Sequence, residues 1–233
     1  MKLRWALAGS GALLTLCLSW MPVGTGLSRV GQVVGLAAVL AAWGLWVSSR
    51  ARWKLCGLLG LLLFFFVVVP RRTLDEVRLR RAIAQEARAL VGTPYLWGGE
   101  TGRGVDCSGL VRLAWRRALL REALAGSNPG LLRDVFTVWF FDASAAALAM
   151  GYRGLAAPLE PAPRGVNGVT SGMLLPGDFM VTADGLHTML FVGDGSWVEA
   201  DPGVGAVIEE HVPSANGWFS APAVLLRWAT LRH

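Results

Sequence analysis

Hydrophobic positions divide the chain into two halves with different patterns. Up to Pro70 they come in unbroken blocks: 24 uncharged residues between Arg4 and Arg29, 20 between Arg29 and Arg50, and 16 between Lys54 and Arg71. As helices these blocks measure ~36, ~30 and ~24 Å at ~1.5 Å per residue, against a hydrocarbon core of ~30 Å. The pattern predicts about three transmembrane helices, near residues 5–27, 30–49 and 55–70, in a membrane anchor covering 1–72. The third block is short, and snorkelling Lys54, Arg71 and Arg72 extend its reach.

Beyond Pro70 the pattern turns amphipathic. Thr73-Leu-Asp-Glu76 has the form of a capping box, which predicts a helix over 74–91 with Val77, Ile83, Leu90 and Val91 inward and Gly92 as its stop. The turn-rich stretch 92–99 leads to Val105-Asp-Cys-Ser-Gly-Leu-Val111 and an amphipathic helix through 112–121. Helix-like pieces follow at 131–141 and 143–150, and the Pro-rich segment 157–164 reads as an extended surface loop. Leu175-Pro-Gly-Asp178 then opens a β-rich end with candidate strands at 179–182, 186–192, 196–200, 206–212 and 223–228.

Charge follows the same division. All 16 Asp and Glu lie at or beyond Asp75, whereas the first 73 residues carry 8 Lys or Arg and no acid. The formal charge of +6 is therefore +8 before residue 74 and −2 after it. A pI near 10.0 describes membrane flanks, where Lys and Arg set topology and meet anionic headgroups, and gives no reason to expect nucleic acid as a partner. Lys2, Arg4, Arg50, Arg52 and Lys54 fall where the positive-inside bias places the cytoplasm. With three spans, the C-terminal half then lies on the extracytoplasmic side of a multi-pass protein, and the lipid bilayer is an expected partner.

Two of the three cysteines, Cys17 and Cys56, fall in apolar blocks, so Cys107 has no disulfide partner in the polar half. Asp106 is a good N-cap and leaves Cys107 in the first helical turn, where free amides and the helix dipole pull a thiol below its usual ~8.5. His187 opens an alternating strand, and Glu199 lies twelve residues on, across Gly193-Asp-Gly195. A two-residue Asp-Gly turn pairs Val192 with Trp197 and puts His187 and Glu199 on opposite faces. A three-residue turn with a left-handed Gly195 pairs Val192 with Ser196 and puts both on one face. A cysteine triad, with His187 as base and Glu199 as its orienter, requires the second register. His211 and His233 read as polar residues without a catalytic role, and the chemistry calls for no metal or cofactor.

Tyr95-Leu-Trp-Gly-Gly99, Asp106-Cys-Ser-Gly-Leu-Val111, Leu175-Pro-Gly-Asp178 and His187 before Gly193-Asp-Gly195 together resemble the NlpC/P60 family in order and spacing. The resemblance covers most of residues 73–233. It implies an α+β, papain-like domain, with N-terminal helices packed on an antiparallel sheet, and hydrolysis of amide bonds in peptidoglycan stem peptides, often between D-glutamate and a diamino acid. It makes Cys107 the nucleophile, His187 the base and Glu199 the third polar residue. Tyr95 matches a tyrosine near the nucleophile that helps bind the oxyanion, and the Cys107 amide is a further oxyanion candidate. Asp106, with its motif neighbours Ser108 and Trp97, is implied on the substrate side. The chain from about 120 to 173 is longer than in minimal members and reads as an insertion that reshapes or covers the cleft. Two other functions fit the same residues: a cysteine amidase or acyltransferase acting on another wall or lipid-linked substrate, and a non-catalytic membrane scaffold.

Overall fold

The computed structural model describes residues 2–44, 49–126, 128–162, 164–169 and 172–231; His233 and positions 45–48, at the end of the second expected span, lie outside them. The apolar half forms three helices, α1 (Lys2–Trp20), α2 (Gly26–Gly44) and α3 (Ser49–Val68). α1 and α2 pair as a hairpin in backbone contact: a Cβ on Gly11 would stand 2.7 Å from the Gly35 carbonyl.

The expectation of about three spans is corrected here. Among the described residues only Gly26–Gly44 is long and apolar enough to cross a membrane, because the apolar parts of α1 and α3 shrink to Ala8–Trp20 and Trp53–Val68. Two features shorten them. Pro22 and Gly24 break the first block into a connection at 21–25, and basic residues occupy the opening turns of α1 and α3. α2 also starts earlier than the charge spacing suggests, taking Arg29 into its first turns, where the side chain is buried and paired with Glu100.

The polar half begins with α4 (Glu76–Arg88). Its cap is Asp75, whose carboxylate accepts the Arg78 N–H at 3.0 Å, so the expected Thr73–Glu76 box does not form. Ile83 and Leu90 are buried as expected, with Leu79, Ala82 and Ala87, whereas Val77 and Val91, the latter in the turn past the helix end, are exposed. Two short strands, β1 (Glu100–Thr101) and β2 (Gly104–Val105), precede α5 (Cys107–Ala125). Then come α6 (Leu132–Phe140), α7 (Ala145–Ala149), β3 (Ala156–Ala162), β4 (Phe179–Thr182), β5 (Thr188–Gly193), β6 (Ser196–Asp201), β7 (Ala206–His211), α8 (Gly217–Ser220) and β8 (Ala223–Trp228).

Six strands make one antiparallel sheet in the order β3-β8-β4-β5-β6-β7. All five expected strands are present. The Pro-rich segment, expected as a loop, is instead the edge strand β3, paired with β8 and irregular between Pro158 and Pro161. An edge position tolerates both prolines, since a missing N–H there faces no partner strand.

Helices α4 and α5 cover one face of the sheet, with Leu110, Trp115 and Leu119 against Phe179, Leu190, Val198 and Trp228. The Trp115 and Trp228 rings stack at 4.8 Å and anchor that layer. The second face buries Met189, Phe191 and Trp197 under Val166, Leu174 and Phe219. Asp178 of the Leu-Pro-Gly-Asp turn is fully buried and grips Arg227 through two hydrogen bonds, 2.8 and 2.6 Å, with Arg80 of α4 at 3.3 Å. That motif therefore joins α4 to the sheet.

Candidate active site

Asp106 starts α5 as its N-cap. One carboxylate oxygen accepts the Gly109 N–H at 2.6 Å and the Ser108 hydroxyl at 2.9 Å, and the other accepts the Gly98 N–H at 2.9 Å. The motif thus closes on itself, holding Cys107 at the helix start and fixing the preceding loop beside it. Ser108 is spent on this clamp, so it acts within the loop and presents no free hydroxyl outward.

Cys107 is 8% exposed, and its Sγ lies 3.8 Å from the carbonyl of Leu186, the residue before His187. Burial, then the Asp106 charge, push the thiol up to about 11, while the backbone N–H groups of Thr188, Ser108 and Cys107 pull the other way. The lowered value expected of a helix N-terminus is therefore corrected. Desolvation and the capping carboxylate together outweigh the amides.

His187 and Glu199 come together on one face of the β5–β6 hairpin. Nε2 of the imidazole lies 2.5 Å from a Glu199 carboxylate oxygen, both residues being buried. The register is the one a triad requires: Met189 pairs with Glu199, Leu190 with Val198 and Phe191 with Trp197. It is reached by an unexpected route. The turn is the two-residue Asp194–Gly195, both with positive φ, and a bulge between Phe191 and Gly193 supplies the extra residue that restores the parity.

Glu199 is held above its ordinary pKa by burial, opposed by its hydrogen bond and charge interaction with His187. Its other oxygen accepts the Asn216 amide at 2.8 Å. Trp218, two residues on, stacks on the His187 ring at 4.3 Å and 19°. Neither Asn216 nor Trp218 was singled out from the sequence. Their one signal is a capping residue ahead of an aromatic pair, Asn216-Gly-Trp-Phe219, which has no feature specific to catalysis.

Tyr95 is placed by the backbone of the same loop, its N–H donating to the Gly205 carbonyl at 2.9 Å and its position bridging Val105. Its phenol is raised to about 12, by desolvation first and then by the charges of Cys107 and Asp106. Trp97 is 79% exposed on the outer side of this loop, apart from the buried His187–Glu199 pair. The 120–173 stretch does approach the site: a Cβ on Gly185 would stand 2.7 Å from Ala146 Cβ, so α7 rests against the turn that leads to His187.

Comparison with known proteins gives this geometry a family. The model of the NlpC/P60 family matches residues 92–221. A probable endopeptidase of Mycobacterium tuberculosis is 39% identical over 82 residues, 31% of this chain and 21% of the relative. Dipeptidyl-peptidase 6 of Lysinibacillus sphaericus is 38% identical over 47 residues, 20% of this chain and 17% of its own. Both matches span about a fifth of those curated relatives. Among solved structures, the peptidoglycan hydrolase RipB of Mycobacterium tuberculosis is 22% identical, covers 64% of this chain and 65% of its own, and has a TM-score of 0.39. With more than half its length matched, and with Cys107 at a helix start beside a histidine-bearing antiparallel sheet, the chain belongs to the NlpC/P60 family of cysteine peptidases.

Proposed function

We propose that the chain is a membrane-anchored endopeptidase that cleaves amide bonds in peptidoglycan stem peptides, such as D-glutamyl-diamino acid. The observation that carries this is the buried 2.5 Å contact between His187 and Glu199 next to Cys107. With Nε2 taken by Glu199, Nδ1 is the nitrogen left to serve the sulfur. Cys107 Sγ attacks the stem-peptide carbonyl as its proton passes to His187 Nδ1, giving a tetrahedral oxyanion. In this reading the Cys107 amide and the Tyr95 hydroxyl receive that charge. His187 then protonates the leaving amine and the C–N bond breaks. Water, deprotonated by the same imidazole, hydrolyses the thioester and restores the thiol.

Glu199 holds the ring in this tautomer and stabilises the imidazolium. Asn216 satisfies the second carboxylate oxygen, and Trp218 limits the ring to one plane. In this reading Asp106 works on the enzyme side, by holding the nucleophile. Its Oδ2 accepts one hydrogen bond and keeps acceptor capacity for a substrate amine.

Anchoring rests on α2. Leu36 and Val34 of α2, with Leu63, Phe64 and Phe65 of α3, are all at least half exposed, an apolar surface of a size that water does not leave uncovered. α2 leaves the domain at Gly26 and ends at Gly44, followed by Arg50, Arg52 and Lys54. The positive-inside bias sets that far end on the cytoplasmic side of the bilayer.

The direct test is digestion of purified peptidoglycan by the detergent-solubilised chain and by Cys107→Ala, with fragments identified by mass spectrometry. New stem-peptide fragments from the unaltered chain alone are expected and name the bond. Their absence from both sinks the reading.

A further inference from the structure

The α1–α2 hairpin meets the catalytic domain at the loop ahead of the nucleophile. Gly24 N–H donates to the Gly98 carbonyl at 3.3 Å, Glu100 N–H donates to the Pro22 carbonyl at 3.1 Å, and Val23 bridges Gly99 as an antiparallel partner. The hairpin connection is thus an added strand on the segment 98–100. The same segment holds the helix start: the Gly99 carbonyl accepts the Asp106 N–H at 3.0 Å, and Gly98 N–H reaches the Asp106 carboxylate. Gly99 and Gly109 are in backbone contact, since a Cβ on Gly109 would lie 2.0 Å from the Gly99 oxygen.

A buried ionic group locks this arrangement. The Glu100 carboxylate, 6% exposed, meets Arg29 from α2 and, at 2.7 and 2.8 Å, Arg112 and Arg116 from α5. Arg29 is 2% exposed and also reaches the Phe140 carbonyl at 3.4 Å, with Asp142 at 3.9 Å. A guanidinium in the first turns of a membrane helix is expensive to desolvate and is kept where it has a task. An anchor whose one duty is attachment has no use for it. The two α5 arginines already neutralise Glu100, so a third is not required for charge balance.

We propose that the hairpin is a working part of the catalytic site: Arg29 and the Pro22–Gly24 connection hold Gly98–Glu100, and through that segment they position Asp106 and Cys107. The inference rests on the peptidase reading and makes Arg29 a positioning residue, one that acts through the loop without touching substrate. It also ties activity to an intact anchor, because releasing the domain from α1 and α2 removes the strand that braces the nucleophile loop.

Hydrogen exchange by mass spectrometry on the detergent-solubilised full chain reads the loop directly, beside kinetics on stem peptides. Arg29→Ala is expected to speed exchange across 98–109 by about tenfold or more, while β4, β5 and β6 keep their rates. The kcat is expected to fall by as much as about a hundredfold with KM within about twofold, and Arg29→Lys to recover part of both. If Arg29→Ala does not fold, Glu100→Gln, which keeps the side-chain shape, reads the same segment. Unchanged exchange at 98–109 overturns the proposal, as does acceleration spread evenly over the central strands. Local acceleration in a chain whose unaltered form cleaves no wall fragment sinks the peptidase reading and leaves the coupling standing.

Discussion

Burial and the Asp106 carboxylate set the resting state of Cys107. A thiol at about 11 keeps its proton at neutral pH, and in the proposed mechanism the sulfur becomes a thiolate only as His187 takes the proton. Alkylation by iodoacetamide, followed on the Cys107 peptide so that Cys17 and Cys56 do not intrude, is expected to climb from about pH 8 through about pH 10 without levelling off. Asp106→Asn keeps a capping side chain and removes the negative charge, which lowers the thiol pKa and moves the curve to lower pH. A wild-type plateau near neutrality contradicts the protonated resting state. Glu199 makes a complementary case. Glu199→Gln preserves volume but takes away the charge that steadies the imidazolium, so kcat is expected to fall by at least about a hundredfold with KM little changed. Steady-state kinetics checks this, with circular dichroism to show that the sheet is intact.

At the scale of elements, the site depends on one bulge. Gly193 has φ +102, and its nearest neighbour to an added Cβ is Pro176 at 3.4 Å, an ordinary contact. Gly193→Ala therefore meets no clash and is penalised by backbone conformation alone, at about 1–2 kcal/mol. A thermal melt is expected to show that loss, and activity is expected to fall further than stability, because the bulge sets the parity that brings His187 to Glu199. The strands themselves were legible because period-two alternation survives wherever one face is buried: β4 and β8 begin and end where the pattern placed them. β3 was not legible, since prolines argue against a strand unless its edge position is known. Cys107, His187 and Glu199 could be singled out because rare side chains stand there in a recognisable order. Asn216 and Trp218 could not, since their roles arise from a loop folding back over the hairpin, a long-range contact that local pattern does not encode. The thiol pKa was misjudged for the same reason: the helix start is visible in sequence, but the depth of burial is not.

The whole molecule is tied together by the stretch between α5 and β3. Arg133 of α6 donates to the carbonyls of Phe66, Val67 and Val69 at 3.0, 3.0 and 2.6 Å, closing the C-terminal end of α3. Arg71 pairs with Asp134, and Asn128 bonds both backbone groups of Arg72, at 3.0 and 3.1 Å. The linker out of the apolar helices is thus held along its length, while the hairpin grips the nucleophile loop from another side. The domain is seated on its helices at two points and does not hang from a tether. Trypsin can measure the first of these, because Arg71 and Arg72 are cleavage sites whose backbone must leave Asn128 before a protease can bind it. Each hydrogen bond contributes about 0.5–1.5 kcal/mol, so Asn128→Ala is expected to speed cleavage there on the order of tenfold, releasing a fragment that begins at Arg72 or Thr73. Cleavage at the wild-type rate would show that the linker opens independently of this clamp, and the two-point seat would reduce to the hairpin alone.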